Sequence, residues 1–198
     1  MSKIVNHLID GKPFIGNGRK QDVFNPATGE VGGQVSLATK DEVTKAIDAA
    51  EAAFPAWRNT PPSKRAQIMF KLKVLLEENA DKICQLVTDE HGKVLNDAMG
   101  ELTRAIENVE FAAGAPNLLK GEHSKNAGPA IDSWSEMQPL GVTAGITPFN
   151  FPAMVPFWMW PLAVVAGNTF ILKPSERDPS PPLFMAELAH EAGLPPGV

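Results

Sequence analysis

Val142-Thr143-Ala144-Gly145-Ile146-Thr147 and Thr169-Phe170-Ile171-Leu172 decide the fold. Each is a short apolar run set off by Gly, Asn or Pro. That is the pattern of a parallel strand buried on both faces. Between them, residues 153–166 predict a helix with Pro156 in its first turn, a kink at Pro161 and an end at Gly167. Residues 181–192 predict another helix, closed by Gly193 and Pro195. Strand, helix, strand, helix is the repeating unit of a doubly wound α/β sheet. A third strand is due near Val198, so the chain reads as an incomplete doubly wound domain with an uncovered sheet edge.

Upstream, residues 131–138 alternate apolar and polar side chains, as a half-buried strand does. They follow a polar stretch, residues 114–130, that reads as a loop. Residues 39–111 are helical in pattern and poor in proline, whereas 11 of the 18 prolines lie from Pro139 onward. Thr39 and Glu42 predict a capping box. The expected inward face after it is Val43, Ala46, Ile47, Ala50 and Phe54. Pro61-Pro62-Ser63 opens a second helix, with Ile68, Leu72, Leu75 and Leu76 inward. Residues 81–91 continue as helix until Gly92. A helix over 94–113 carries Met99, Leu102, Ile106 and Val109 as its stripe. At the start, Asp10-Gly11 between two short apolar runs predicts a hairpin. Asn25-Pro26-Ala27-Thr28-Gly29 predicts a turn into a strand over 31–37.

The chain has 198 residues and a net charge of -5, which argues against nucleic acid or an anionic membrane as partner. The apolar run 149–170 is long enough to span a bilayer, but Pro152, Pro156, Pro161, Gly167 and Asn168 interrupt it. One cysteine, Cys84, excludes an internal disulfide and zinc-finger spacing. With no secretory signal pattern, a reducing, cytoplasmic location is expected. The four histidines lack metal-ligand spacing, so no metal is expected. Trp134, Trp158 and Trp160 read as packing residues.

Ligands of open α/β sheets bind beyond the carboxyl ends of the strands. Asn150 lies there. Its amide suits a developing oxyanion, and equally a plain helix cap. Lys173 and Glu176 follow the second strand. A lysine there suits ribose or phosphate, and a carboxylate three residues on suits both ribose hydroxyls while repelling a 2′-phosphate. A solvated charged turn is the bland alternative. Neither G-x-G-x-x-G nor a Walker A loop occurs. Cys84, inside a helix, reads as a structural thiol.

Thr147-Pro148-Phe149-Asn150-Phe151-Pro152, then Gly167-Asn168-Thr169, then Lys173-Pro174-Ser175-Glu176 resemble the aldehyde dehydrogenase superfamily, and the likeness covers the whole chain. Phe149, where that family usually has tryptophan, and Arg177 resemble its methylmalonate-semialdehyde dehydrogenase branch. The resemblance implies a Rossmann-like NAD-binding domain: residues 1–121 as hairpin and helical part, 122–139 as a β oligomerisation ribbon, and 140–198 as the first βαβα part. It implies NAD as cofactor and coenzyme A as co-substrate. The activity implied is acylating oxidation of methylmalonate or malonate semialdehyde, with decarboxylation to propionyl- or acetyl-coenzyme A, in valine or inositol catabolism. Asn150 would stabilise the oxyanion, and Thr147, Phe149, Lys173, Glu176 and Arg177 would hold the cofactor. The family's nucleophilic cysteine, glutamate base and second glycine-rich loop would lie beyond Val198, leaving this chain alone inactive. A homo-oligomer, dimer or tetramer, is implied for the full length. Arg104 would meet the substrate carboxylate bidentately; on residues alone it could equally pair with Glu101 or Glu107. Two further readings stay open: a hydrolytic aldehyde dehydrogenase without coenzyme A, and a short non-catalytic protein that binds nucleotide or a partner.

Overall fold

In the computed structural model, which describes residues 3–198, the amino end is built from five short strands. β1 (Lys3–Val5) pairs in parallel with β5 (Val31–Ser36), and β4 (Lys20–Phe24) pairs with β5 antiparallel. β2 (His7–Ile9) and β3 (Lys12–Phe14) form the predicted hairpin. Its turn has Asp10 at φ 53° and Gly11 at φ 68°. Two left-handed residues in succession match the twist of the flanking strands, which is why Asp-Gly serves there. The Asn25 turn also forms: its side-chain oxygen accepts from the Ala27 amide at 2.9 Å and its carbonyl from Gly29 at 2.8 Å.

Four helices follow. α1 (Lys40–Arg58) starts on the predicted capping box, in which Glu42 accepts from the Thr39 amide at 2.7 Å. Its expected inward face is only partly inward. Val43 and Ile47 are exposed, and Val43, Ala46 and Ala49 line a groove beside the later sheet. α2 (Pro62–Glu78) buries Met69, Leu72 and Leu76, and α3 (Ala80–His91) ends at Gly92, φ 88°. α4 (Leu95–Ala113) packs on α2 and α3. Its buried stripe is Ala98, Leu102, Ala105, Val109 and Ala112, while Met99 is 39% exposed. Leu102 and Val109 are buried as expected, but Ala98 and Ala105 take the places expected of Met99 and Ile106, because alanines let the helix axes approach closely, which bulk alone does not signal.

α5 (Ala115–Leu118) leads to a ribbon of β6 (His123–Gly128) and β7 (Ile131–Trp134). The expected loop therefore contains a strand, and the expected strand over 131–138 stops at Trp134. Nearly all of the ribbon is exposed, Trp134 included. With both faces in water, β6 has no apolar alternation to betray it.

β8 (Val142–Ile146) is then followed by α6 (Met154–Phe157), α7 (Trp160–Val165), β9 (Thr169–Lys173) and α8 (Ser180–Glu191). β8 and β9 pair in parallel, Ile146 opposite Lys173. The one helix expected over 153–166 is two. Pro161 has no N–H to donate to the turn before it, so it sits in the first turn of a new helix and the break falls ahead of it. Of the tryptophans beside it, Trp160 is buried edge-on against Phe157 and Trp158 is exposed. β8 is not buried on both faces as expected, since Val142 and Ile146 are exposed, Ile146 by 79%. The far side of β9 meets the expected start of a third strand: the Phe170 amide donates to the Val198 carbonyl at 2.8 Å. Among the described residues no helix is long and apolar enough to cross a membrane.

The end of α7 is stapled from three directions. Trp57 Nε1 donates to the Val164 carbonyl at 2.9 Å and Arg65 Nε to the Val165 carbonyl at 2.8 Å. Asn168 reaches both ways. Its Oδ1 accepts from the Leu140 and Gly141 amides at 2.7 and 3.1 Å, and its Nδ2 donates to the Ala163 carbonyl at 3.1 Å. It thereby ties the start of β8 to the end of the crossover. Asn168→Ala strands the buried Gly141 amide and should cost about 1–3 kcal/mol in urea unfolding. Asn168→Asp keeps the acceptor but sets a buried carboxylate against the Ala163 carbonyl, so it should destabilise as well; equal stability of all three chains would refute this role.

Candidate active site

Parallel pairing brings the carboxyl ends of β8 and β9 to one edge, where the Thr147 amide donates to the Lys173 carbonyl at 3.1 Å. Two loops leave from there side by side. Phe149 of the first and Arg177 of the second are in contact, with the guanidinium carbon 4.6 Å from the ring centroid. The His91 ring stacks on Phe149 at 6.4 Å. Phe149 is thus held by a cation and by a ring from a different helix. Burial, then Lys93, push the His91 imidazole below its ordinary range. That favours its neutral form.

Lys173 and Glu176 pair at 2.8 Å across one turn of loop. The lysine's hydrogen bond holds the Glu176 carboxyl below the usual carboxylate range. Both line a groove of about 350 Å³ that runs along β9 between α1, α8 and the amino-terminal hairpin. Thr147, Phe149 and Asn150 are not among its walls. The candidate residues therefore form two adjoining groups: Lys173 and Glu176 on the groove, and Thr147, Phe149, Asn150 and Arg177 on the paired loops. Thr147 is buried, and its hydroxyl oxygen has no hydrogen-bond partner among the described residues.

Asn150 does not cap α6. The amides of Ala153 and Met154 are taken instead by Glu101 Oε1, at 2.6 and 3.1 Å. Asn150 is exposed, and only its backbone carbonyl is engaged, by Lys93 Nζ at 2.7 Å. Its side-chain amide makes no hydrogen bond to the described residues, so it is left to donate outward. Of the two readings that the spacing allowed, the cap is the one that fails.

Arg104 lies on the outer face of α4, with its side chain 66% exposed and its guanidinium on Glu107 at 2.8 Å. Glu101, a possible partner of Arg104 on spacing, is buried and paired with Lys93 at 2.5 Å. Lys93 and Asp178 were not singled out from the sequence, and Glu101 was read there only as a partner for Arg104. The signal for Glu101 was its place among Ala98, Leu102 and Ala105, on the inward face of the helix. Asp178 had no such signal.

The aldehyde dehydrogenase family model matches residues 14–198. This chain belongs to the aldehyde dehydrogenase family. It is 64% identical to a malonate-semialdehyde dehydrogenase of Pseudomonas aeruginosa over 194 residues, 98% of this chain and 39% of that protein. The crystal structure of a methylmalonate-semialdehyde dehydrogenase from Oceanimonas doudoroffii superposes with a TM-score of 0.97 at 64% identity, covering 100% of this chain and 40% of that one. A Sinorhizobium meliloti 1021 protein, described as a methylmalonate-semialdehyde dehydrogenase and solved with NAD, gives 0.98 at 49% identity, with the same coverage. This family member thus spans about 40% of the length of such relatives.

Asp178 adds a pH-sensitive element to this family member. It is 1% exposed, and burial pushes its carboxyl up to about 7, with Glu90 and Glu101 adding to the effect and a Ser175 hydrogen bond opposing it. Between its ordinary 3.8 and about 7 the folded chain keeps a proton that the unfolded chain has lost. Stability from this group therefore falls as pH rises through that window. Asp178→Asn removes the titration. Its melting temperature should rise relative to the parent between about pH 4 and about pH 7 and level off above that. A difference that stays constant over that range would contradict the assignment.

Proposed function

We propose that this chain supplies the cofactor side and the oxyanion donor of an NAD-dependent semialdehyde dehydrogenase. Its substrate is malonate or methylmalonate semialdehyde, and coenzyme A takes the acyl group as the carboxylate is lost. The observation that carries the reading is the released side chain of Asn150, at the strand edge shared with Lys173 and Glu176. The likeness to semialdehyde dehydrogenases over the whole chain supports the substrate class.

The residues present fit a dinucleotide. A buried, unpartnered Thr147 hydroxyl is a spare donor and acceptor at the strand end. Lys173 offers a cation, and Glu176 accepts from a ribose diol while disfavouring a 2′-phosphate. When bound, NAD supplies the hydride acceptor. Phe149, braced by Arg177 and His91, holds the paired loops beside the groove. Asn150 donates to the aldehyde oxygen as negative charge gathers on it.

The nucleophile is not Cys84. It is buried among α3 side chains, and burial, then Asp81 and Glu101, push its thiol above the ordinary range. A reactive thiolate needs the opposite environment. The reactive thiol in this reading comes from outside these 198 residues.

Arg104 is the cation we assign to the substrate carboxylate. Its present partner is an exposed glutamate, and exposed ion pairs are weak enough to be exchanged for an incoming carboxylate. The exposed ribbon of β6 and β7 is assigned to contact between copies.

Two assays on the protein at the relatives' full length test this. Without coenzyme A, product formation should fall at least about tenfold, with acyl-coenzyme A as the product when it is supplied. Undiminished free acid without coenzyme A would assign hydrolysis instead. Arg104→Ala should raise KM for carboxylated semialdehydes about tenfold or more and leave propanal nearly unchanged. Equal changes for both would remove Arg104 from the site.

A further inference from the structure

We infer that Glu101 and Lys93 are positioning residues for the turn that carries Asn150. This rests on the reading of Asn150 as oxyanion donor. The turn over residues 148–153 belongs to no helix or strand. Its position is held largely from α4 and from the bend after Gly92. Glu101 uses both oxygens on the task, Oε1 on the Ala153 and Met154 amides and Oε2 on Lys93. Lys93 passes the restraint on, donating to the Asn150 carbonyl at 2.7 Å with its ammonium 4.0 Å from the Phe151 ring centroid. Residues 150, 151, 153 and 154 are thus gripped by one charge pair.

Helix stability alone does not account for this. The Glu101 side chain is 1% exposed, and α6 has four residues. A buried ion pair rarely stabilises a fold more than apolar packing would. What it does well is select one backbone arrangement and reject its neighbours. A donor aimed at a developing oxyanion needs that selection, because displacement by about 1 Å can cost roughly a hundredfold in rate.

The test uses the protein at the relatives' full length, with Asn150→Ala as benchmark. Lys93→Met and Glu101→Gln should lower kcat about ten- to a hundredfold, with KM for NAD changed by less than about twofold. Lys93→Arg should recover part of the loss, because it still donates to the Asn150 carbonyl. Adding Lys93→Met to Asn150→Ala should slow the enzyme no further, since an absent donor cannot be misaimed. Amide hydrogen exchange over residues 147–154 should quicken in both charge variants, whether or not Asn150 acts in catalysis. If Glu101→Gln does not fold, Lys93→Met carries the test. Normal kcat in Lys93→Met, alongside a slow Asn150→Ala, overturns the inference and spares the function. Normal kcat in Asn150→Ala overturns the oxyanion reading, and this inference with it.

Discussion

The parallel pairing of β8 with β9 is the constraint on which the rest depends. Two parallel strands cannot be joined by a tight turn, so the chain must cross over one face of the sheet and return. That crossover is the pair α6 and α7, and its return leaves carbonyls at the end of α7 inside the protein. Buried carbonyls need donors. Trp57, Arg65 and Asn168 supply them from three separate parts of the chain. The helical layer is therefore attached to the sheet by directed bonds as well as by apolar contact. The same pairing brings two strand ends to one edge, which gives the candidate site its place.

Much of this was legible in the residues, where the chemistry is local. Asp10-Gly11 and the Thr39–Glu42 box act within a few residues of themselves, and Gly92 ends a helix by its own backbone freedom. Parallel strands at 142–147 and 169–172 showed through composition and flanking breakers. Leu102 and Val109 on the inward face of α4 were legible, but Ala98, Ala105 and Ala112 were not, because alanine carries little hydrophobic weight, yet it is what lets helices pack closely. β6 was hidden because nothing buries either of its faces.

The site divides along the same line. Lys173 and Glu176 were marked by their place just after the second strand, and the structure pairs them there. Whether Asn150 caps a helix or faces outward could not follow from spacing, because Glu101, 49 positions upstream, decides it. Glu101 in turn had a tempting neighbour in Arg104, three residues on, but Glu101 turns into the protein to meet Lys93 while Arg104 stays exposed on Glu107. Asp178 owes its character to burial by other segments, which no short window contains.

The burial of Cys84 has a practical corollary. Its sulfur lies in the packed layer of α3, and burial keeps it as the inert thiol, so alkylating reagents reach it only when that layer parts. Labelling at this position would clock transient opening of the helical layer. The molecule thus carries a built-in stopwatch for its own breathing, with no engineered probe.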